Sequence, residues 1–329
     1  MEKIKISVPE KIYELLRRDA KDFRILKPSG EENLNAFLNN LVVNFYEEFT
    51  ANEESLREKV KNALSKIPEK YAKEAFAQVM NAFVKQDKVE GYGKSVALSF
   101  KPTKVSESVT IYIENVLLKN EALSSFYRRM FIEYAKKLKN EREKIIHKQN
   151  YELLLNAIKD GMMVCLSLDS GEVFTHASIY DVASSKDELY NYVLYYCDKG
   201  NKTVRLAKIK TVSLLSQTAK IPQVSQEMFA RQVKVGAQYP IYSTDDEPIK
   251  VQLSPKGKSM FDKIYLYRPT PICIEGDVYT FDCSANQALY YFERFGSEAL
   301  ILSPKRLGIF MRNYYHYALK KYRTLYKKD

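Results

Sequence analysis

A β-hairpin near the middle of the chain constrains the fold more than any other predicted element. Residues Asn191–Cys197 are aromatic and β-branched, and Thr203–Ile209 alternates apolar with polar side chains. Between them, Asp198–Lys202 has the composition of a tight turn. The hairpin predicts an antiparallel sheet that carries tyrosines beside Arg205 and Lys208. Tyrosine rings and cationic groups are the side chains with which proteins bind unpaired bases and their phosphates.

Further short strands surround this hairpin. Strands are predicted at Met162–Leu168, Val173–Ile179, Tyr190–Cys197 and Val204–Val212, after a helix at about residues 150–159. Several short strands at this spacing are typical of a small β-barrel. We therefore predict a barrel domain at residues 149–220.

The N-terminal segment has a different pattern, one strand followed by two helices. Residues 3–8 alternate strictly, Pro9 favours the first turn of a helix, and a second amphipathic helix spans about residues 33–49. This order resembles the ribbon-helix-helix family, in which two such units pair and their strands form a ribbon that can enter the major groove of DNA. Matched by position, the outward face of the ribbon carries Lys3, Lys5 and Ser7.

The same order recurs within residues 1–148, the predicted helical domain. Ser95–Phe100 alternates as a strand, helices follow at about 104–119 and 122–138, and helices near 53–66 and 69–86 lie between the two units. The two strands could pair within one chain, or each could pair with a second chain. Internal pairing would set Ser95, Ala97 and Ser99 beside the lysines, so half of the ribbon would lack bidentate base readers.

Two further expectations concern burial in this domain. Charges of alternating sign over Lys136–Lys148 favour a solvated helix. The apolar positions of the helix at 104–119 are predicted to face the core. These positions are Val109, Tyr112, Ile113, Val116 and Leu117.

The remaining residues, 221–329, alternate between strands and helices. The predicted order is strand 249–253, helix 256–264, strands near 270–275 and 278–283, helix 286–295, strand 299–302 and helix 305–322. A βαββαβ order is that of a ferredoxin-like α+β sandwich. The whole chain is therefore predicted to be an α+β multidomain protein.

The composition limits the class of partner. The chain of 329 residues has a formal charge of +11 and contains 25 tyrosines and no tryptophan, which favours an anionic partner over charge that only aids solubility. The four cysteines, Cys165, Cys197, Cys273 and Cys283, lack metal-ligand spacing, so we expect reduced thiols in a cytoplasmic protein. The sequence has no phosphate-binding loop, nucleophile elbow or membrane-spanning run, and Lys3 and Lys5 interrupt the first apolar residues, so we expect no signal peptide. We expect neither catalysis nor a cofactor, a metal or a membrane partner.

The hairpin resembles the WYL domain, an Sm-like small barrel found in bacterial regulators. The family's Trp-Tyr-Leu run falls on residues 191–193, where Tyr192 is kept. Its Phe-Arg-Leu-Asp-Arg-Ile run falls on residues 204–209, where Arg205 is kept and Lys208 replaces the second arginine. The extension that often follows a WYL domain is matched by Phe295, Gly296, Ala299–Leu302, Pro304, Leu307 and Tyr322.

Together with the N-terminal unit, these domains resemble the WYL-domain accessory proteins of type VI-D CRISPR systems. The resemblance implies binding of single-stranded RNA, enhancement of an RNA-guided, RNA-targeting effector, and a homodimer formed through the C-terminal domain. It places the RNA-binding site on Tyr192, Arg205 and Lys208. His176 and Ser167, on neighbouring strands, are weaker candidates.

Strand geometry limits this site. In an ideal strand Arg205 and Lys208 point to opposite faces, so they converge only if the strand bends, bulges or ends between them. Tyr195 and Tyr196 also point to opposite faces, so at most one shares the side of Tyr192. Tyr192 itself could be a packing residue inside the barrel.

Two other functions stay open. A transcription factor would bind operator DNA through Lys3 and Lys5 and sense a nucleotide signal with its WYL domain. A protein–protein adaptor would make the positive charge incidental. Binding of single-stranded RNA remains the leading hypothesis.

Overall fold

The computed structural model describes residues 2–86, 94–118, 121–241 and 247–326, which fall into two units. The first comprises Met1–Glu152 and Leu206–Lys208, and the second comprises Leu153–Arg205 and Ile209–Asp329. Both combine helices with antiparallel strands, so the chain is α+β. Across the described ranges, no helix is both long and apolar enough to cross a membrane.

Two strands of the first unit pair with each other inside this chain. Strand β1 (Ile4–Pro9) runs antiparallel to β2 (Ser95–Phe100), with Lys5 opposite Ser99 and Ser7 opposite Ala97. Their alternation buries one face of the ribbon and exposes the other. The buried side chains are Ile6, Val8, Leu98 and Phe100. Of the two pairings that the sequence left open, the structure has the internal one.

The helices of the first unit are longer or shorter than predicted. Their bounds are α1 Glu10–Asp22, α2 Leu34–Ala63, α3 Glu69–Gln86, α4 Lys104–Tyr112 with a π-helical turn at Ile113–Leu117, α5 Leu123–Lys136 and α6 Lys139–Ile146. Helix α7 (Lys148–Asp160) begins in the first unit and ends in the second. The separate helix predicted near 53–66 is wrong, since α2 runs through it. No glycine or proline lies between Leu34 and Pro68, so nothing in the sequence breaks the helix at the predicted end near residue 49.

The prediction of a solvated helix at Lys136–Lys148 is also wrong. In α6, Arg142 and Glu143 are buried. The guanidinium of Arg142 donates from Nε to Oδ2 of Asp19 at 2.6 Å, and Asp19 is fully buried. The protein tolerates the burial of Arg142 and Asp19 because the two charges are paired. The alternation of charge sign along the sequence does not reveal this pairing.

The face of α4 differs from prediction as well. Ile113 is buried as expected, but Tyr112 and Val116 are exposed. The polar residues Ser106 and Thr110 are buried in their place. The helix is therefore rotated away from the orientation that its apolar positions predict.

The second unit begins with a five-stranded antiparallel sheet in the order β6-β5-β4-β3-β7. The strands are β3 Met162–Leu168, β4 Val173–Ser184, β5 Asn191–Cys197, β6 Gly200–Arg205 and β7 Ile209–Thr218. The single strand predicted at Val204–Val212 is wrong, because a 3-10 turn at Leu206–Lys208 divides it. Leu206 and Ala207 are both buried, which a turn allows and a strand of alternating faces does not.

Helix α8 (Gln223–Val235) follows this sheet and was not predicted. Its buried positions include two polar residues, Ser225 and Gln232, so its hydrophobic pattern is weak. Phe229 packs with Leu194 and Ala237 on one face of the sheet. The helix thus covers part of the hairpin.

A four-stranded antiparallel sheet ends the second unit, in the order β11-β8-β10-β9. The elements are β8 Ile249–Leu253, α9 Pro255–Lys263, β9 Pro271–Glu275, β10 Val278–Phe281, α10 Ala285–Phe292, β11 Ala299–Ser303 and α11 Lys305–Leu325. The predicted βαββαβ order followed by a helix is confirmed. All three helices contribute to one core on one face of the sheet.

Candidate functional site

The predicted hairpin is present, but its turn is shorter than predicted, because β6 begins at Gly200, inside the segment Asp198–Lys202 assigned to the turn. Strands β5 and β6 pair in a continuous antiparallel register from Tyr192 opposite Arg205 to Cys197 opposite Gly200. The turn needs Gly200, whose φ of +80° lies in the left-handed region that glycine adopts without strain. The pairing fixes Arg205 directly across from Tyr192.

The two faces of β5 have different surroundings. Tyr195 is buried and packs edge-on against Phe174, with ring centroids 5.3 Å apart. Tyr192 and Tyr196 lie on the other face, half-buried in the cluster formed by Leu194 and residues of α8. The prediction that only one of Tyr195 and Tyr196 shares the side of Tyr192 is therefore confirmed.

Arg205 stacks on Tyr190, which is not among the predicted site residues. Its Cζ lies 3.2 Å from the centroid of the Tyr190 ring. This is a close cation–π contact that fixes the plane of the guanidinium. Strand pairing could have located it, because Tyr190 precedes Tyr192 by two residues, and such diagonal neighbours lie on the same face of a sheet.

The hydroxyl of Tyr192 is bound to a carboxylate. It donates to Oε2 of Glu188 at 2.5 Å, and the hydroxyl of Tyr267 donates to Oε1 of the same carboxylate at 3.3 Å. Glu188 lies in the turn between β4 and β5, where Ser185 Oγ accepts its backbone N–H at 3.1 Å. Tyr192 thus ties the hairpin to Tyr267 through Glu188.

A second carboxylate lies in the same turn. Asp187 accepts from Nε2 of Gln238 at 3.3 Å, and burial raises the pKa of its carboxyl above the ordinary value. Burial, with the nearby charge of Glu188, also raises the pKa of Tyr267 to about 12. An anion that approached Tyr192 would meet this acidic turn, so Arg205 is the better anion ligand of the pair.

The backbone is strained at this turn. Leu189 and Tyr267 have φ values of +55° and +65°, a region that side-chain-bearing residues rarely adopt. Strained residues of this kind persist only where their surroundings hold them, and they cluster at functional sites. Leu189 follows Glu188 in the chain, and the hydroxyl of Tyr267 donates to the carboxylate of Glu188.

The other predicted site residues lie elsewhere. Lys208 is exposed in the turn Leu206–Lys208, after β6 has ended at Arg205. His176 is exposed on β4, seven residues from Ala183, which is the partner of Tyr192. That separation is about 23 Å along a strand. Ser167 pairs with Val173, still farther along, so the structure does not bring these two residues to Arg205.

The predicted ribbon residues share one surface. Lys3, Lys5 and Ser7 are all exposed. The strand β2 presents Ser95, Ala97 and Ser99 on the same face. This face has cations on one strand and only small side chains on the other.

Comparison with known proteins identifies a similar fold over the whole chain. The crystal structure of a CRISPR Cas-related protein superposes with a TM-score of 0.65 and 18% sequence identity, over 99% of this chain and 95% of that one. The chain shares that fold. The structure of proteasome accessory factor B/C of Arthrobacter aurescens matches 66% of this chain and 35% of that one at 16% identity, but its TM-score of 0.26 is too low to indicate a common fold. No family model matches the sequence, and no curated protein matches it.

Proposed function

We propose that this protein is a non-enzymatic accessory protein that binds single-stranded RNA and enhances an RNA-guided, RNA-targeting CRISPR effector. The fold likeness to a CRISPR Cas-related protein, which extends over nearly the full length of both chains, carries the proposal. The charge of +11 and the guanidinium stacked on Tyr190 support an RNA ligand. Placement in a type VI-D system rests on the sequence resemblance, and placement in the cytoplasm rests on the pattern of the four cysteines.

The domain assignments belong to the same proposal. The sheet of β3–β7 after helix α7 is assigned as an Sm-like WYL barrel, and the internally paired β1 and β2 with their helices as a ribbon-helix-helix domain. The order β11-β8-β10-β9, with helices against one face, supports a ferredoxin-like C-terminal domain.

In the proposed mechanism, Arg205 contacts the RNA. Its guanidinium, held flat by Tyr190, can donate parallel hydrogen bonds to a phosphate or stack on a base. Tyr192 acts as a positioning residue, because its hydroxyl is bound to Glu188. Lys208, exposed beyond the end of β6, adds charge for the backbone.

The proposed homodimer has a suitable surface on α11. Leu307 and Met311 on the apolar side of this helix are buried in the C-terminal core, but Tyr322 and Leu325 continue the same side and are 62% and 67% exposed. An apolar side that is covered at one end and exposed at the other is typical of an interface. A second copy of the chain would cover it.

The test is binding of labelled single-stranded RNA and of duplex DNA by variant proteins. Arg205→Ala should weaken RNA binding about tenfold, because it removes a charge-assisted contact and a stacking surface. Arg18→Ala, which removes an exposed arginine from α1, is the matched control and should bind RNA like the wild type. RNA cleavage by a type VI-D effector is then measured with and without each protein. The wild type and Arg18→Ala should enhance cleavage equally, and Arg205→Ala should enhance it less.

The exposed lysines on the ribbon favour a second candidate, a DNA-binding regulator. Changing Lys3 and Lys5 to Ala should leave RNA affinity unchanged if the protein is an RNA-binding accessory factor. Loss of duplex binding in this variant, with no measurable affinity of the wild type for RNA, would favour the regulator. Effector enhancement without any nucleic-acid binding would favour a protein–protein adaptor.

A further inference from the structure

Helix α11 has an unusual charge. Within Lys305–Leu325 the sequence has no aspartate or glutamate. Its cations are Lys305, Arg306, Arg312, Lys320, Lys321 and Arg323. All six are exposed. The helix therefore adds a concentrated positive charge to the second unit.

Helices α3 and α7 each pair a lysine with a glutamate of the same helix. In α3, Lys73 Nζ lies 2.7 Å from Oε1 of Glu69, and in α7, Lys148 Nζ lies 4.0 Å from Oε1 of Glu152. Pairs at this spacing are the usual means by which a surface helix balances its charge. Helix α11 has no carboxylate three or four residues from any cation, so charge that only serves solubility does not explain its composition.

Four of these cations lie along one side of the helix, away from its buried side. Lys305, Arg312, Lys320 and Arg323 recur at intervals of seven, eight and three residues, which keeps them within about 80° around the axis. They extend over about 27 Å at about 1.5 Å per residue. Gly308 holds the first half of the helix close to β11, because a Cβ there would lie 2.8 Å from the carbonyl oxygen of Ile301. The row of cations is thus mounted on an anchored helix.

We propose that this row, defined as Lys305, Arg312, Lys320 and Arg323, binds the sugar-phosphate backbone of single-stranded RNA. The inference rests on the proposed function and adds a second binding surface to it. An extended polyanion suits the row because the cations form a line rather than a pocket. The row lies on a different side of α11 from Tyr322 and Leu325, so the same helix can serve both RNA and a second copy of the chain.

A backbone site and a base-stacking site differ in measurable ways. Binding by the row should be independent of sequence and should depend steeply on salt, because each phosphate contact releases a counterion. The contact of Arg205 with Tyr190 should depend on the bases. An RNA strand with abasic positions should therefore lose affinity for the Arg205 site and keep its affinity for the row.

The experiment measures the affinity of the full-length protein for labelled oligouridylate over a range of salt concentrations. A triple variant, Arg312→Gln with Lys320→Gln and Arg323→Gln, should lower the slope of log K against log salt by about 2, since each lost contact on a single strand lowers it by about 0.7. The matched control, Arg57→Gln with Lys59→Gln and Lys66→Gln, removes the same charge from exposed residues of the first unit. It should leave the slope near that of the wild type.

Two further measurements distinguish failure of the row from failure of the proposed function. A double variant, Lys305→Gln with Arg312→Gln, tests the anchored half of the helix, and sedimentation of every variant reports any change of oligomeric state. If the triple variant and its control have the same slope while Arg205→Ala still weakens binding, the row does not bind RNA and the proposed function stands. If the wild type does not bind oligouridylate at all, the proposed function fails and the row fails with it.

Discussion

Helices α1 and α4 both follow a strand of the ribbon, yet α1 buries mostly apolar side chains and α4 buries hydroxyl groups. In α1 three of the four buried residues are apolar, Ile12, Leu16 and Ala20, and the fourth is Asp19. In α4 the buried residues are Ser106 and Thr110, while Val105 is 63% exposed. Two segments with the same place in the fold therefore use different chemistry to pack.

Hydrogen bonds account for the inward polar face of α4. The hydroxyl of Thr110 donates to the carbonyl of Ser106 at 2.7 Å and lies 2.8 Å from the hydroxyl of Tyr127. The hydroxyl of Ser106 bonds to the side chain of Asn39 and accepts the backbone N–H of Thr103 at 2.9 Å. A buried polar group costs little when it is paired in this way.

Helix α1 also buries a hydrogen-bonded polar side chain, but this one, Asp19, is a carboxylate. The hydroxyl of Tyr134 donates to Oδ2 of Asp19 at 3.0 Å, and Arg142 also binds this carboxylate. Helix α5 thus contributes one tyrosine to each helix, Tyr134 to α1 and Tyr127 to α4. The comparison predicts that the charged contact is the more costly one to break.

The largest effect is expected from Asp19→Ala. The change leaves the guanidinium of Arg142 buried without its carboxylate, which costs about 3–5 kcal/mol of unfolding free energy. Chemical denaturation of the full-length protein measures it. Asp22→Ala is a neighbouring control, because Asp22 is only partly buried and pairs with a partly exposed lysine, Lys139. A similar small loss in both variants would contradict the assigned role of Asp19.

A smaller difference is expected between the two tyrosines of α5. Tyr134→Phe removes a hydrogen bond to a carboxylate and should cost about 1.5–3 kcal/mol. Tyr127→Phe removes a bond between neutral hydroxyls and should cost about 0.5–1.5 kcal/mol, because Thr110 still donates to Ser106. Denaturation midpoints of the two variants test the order. The reverse order would show that the charged network is not the stronger contact.

Regular alternation and turn chemistry were enough to predict much of the fold. The strands Ser95–Phe100 and Asn191–Cys197 occur where the sequence placed them, since only one register of an alternating strand buries its apolar side chains. The orientation of α4 was not predictable, because it depends on partners distant in sequence such as Asn39 and Tyr127.

The candidate site was predictable only where local strand pattern determines the position of its residues. Arg205 and Tyr192 follow from local pattern and lie opposite each other. Glu188 and Tyr267 could not be selected, because their contact joins residues 79 positions apart. Tyr190 could have been selected, since a diagonal neighbour follows from the hairpin register alone.

The smallest effect is expected on the outer side of α4, and it completes the comparison. Val105→Ser with Val116→Ser should change the unfolding free energy by less than about 0.5 kcal/mol, because both side chains are more than half exposed. Ile113→Ser, in the π-helical turn that continues α4, removes a fully buried side chain and should cost several times more, on the order of 2–5 kcal/mol. Denaturation curves of the two variants decide whether α4 is oriented by its hydroxyls or by its valines. A large loss from the valine changes would mean that the outward side of α4 is packed, and α4 would then resemble α1 after all.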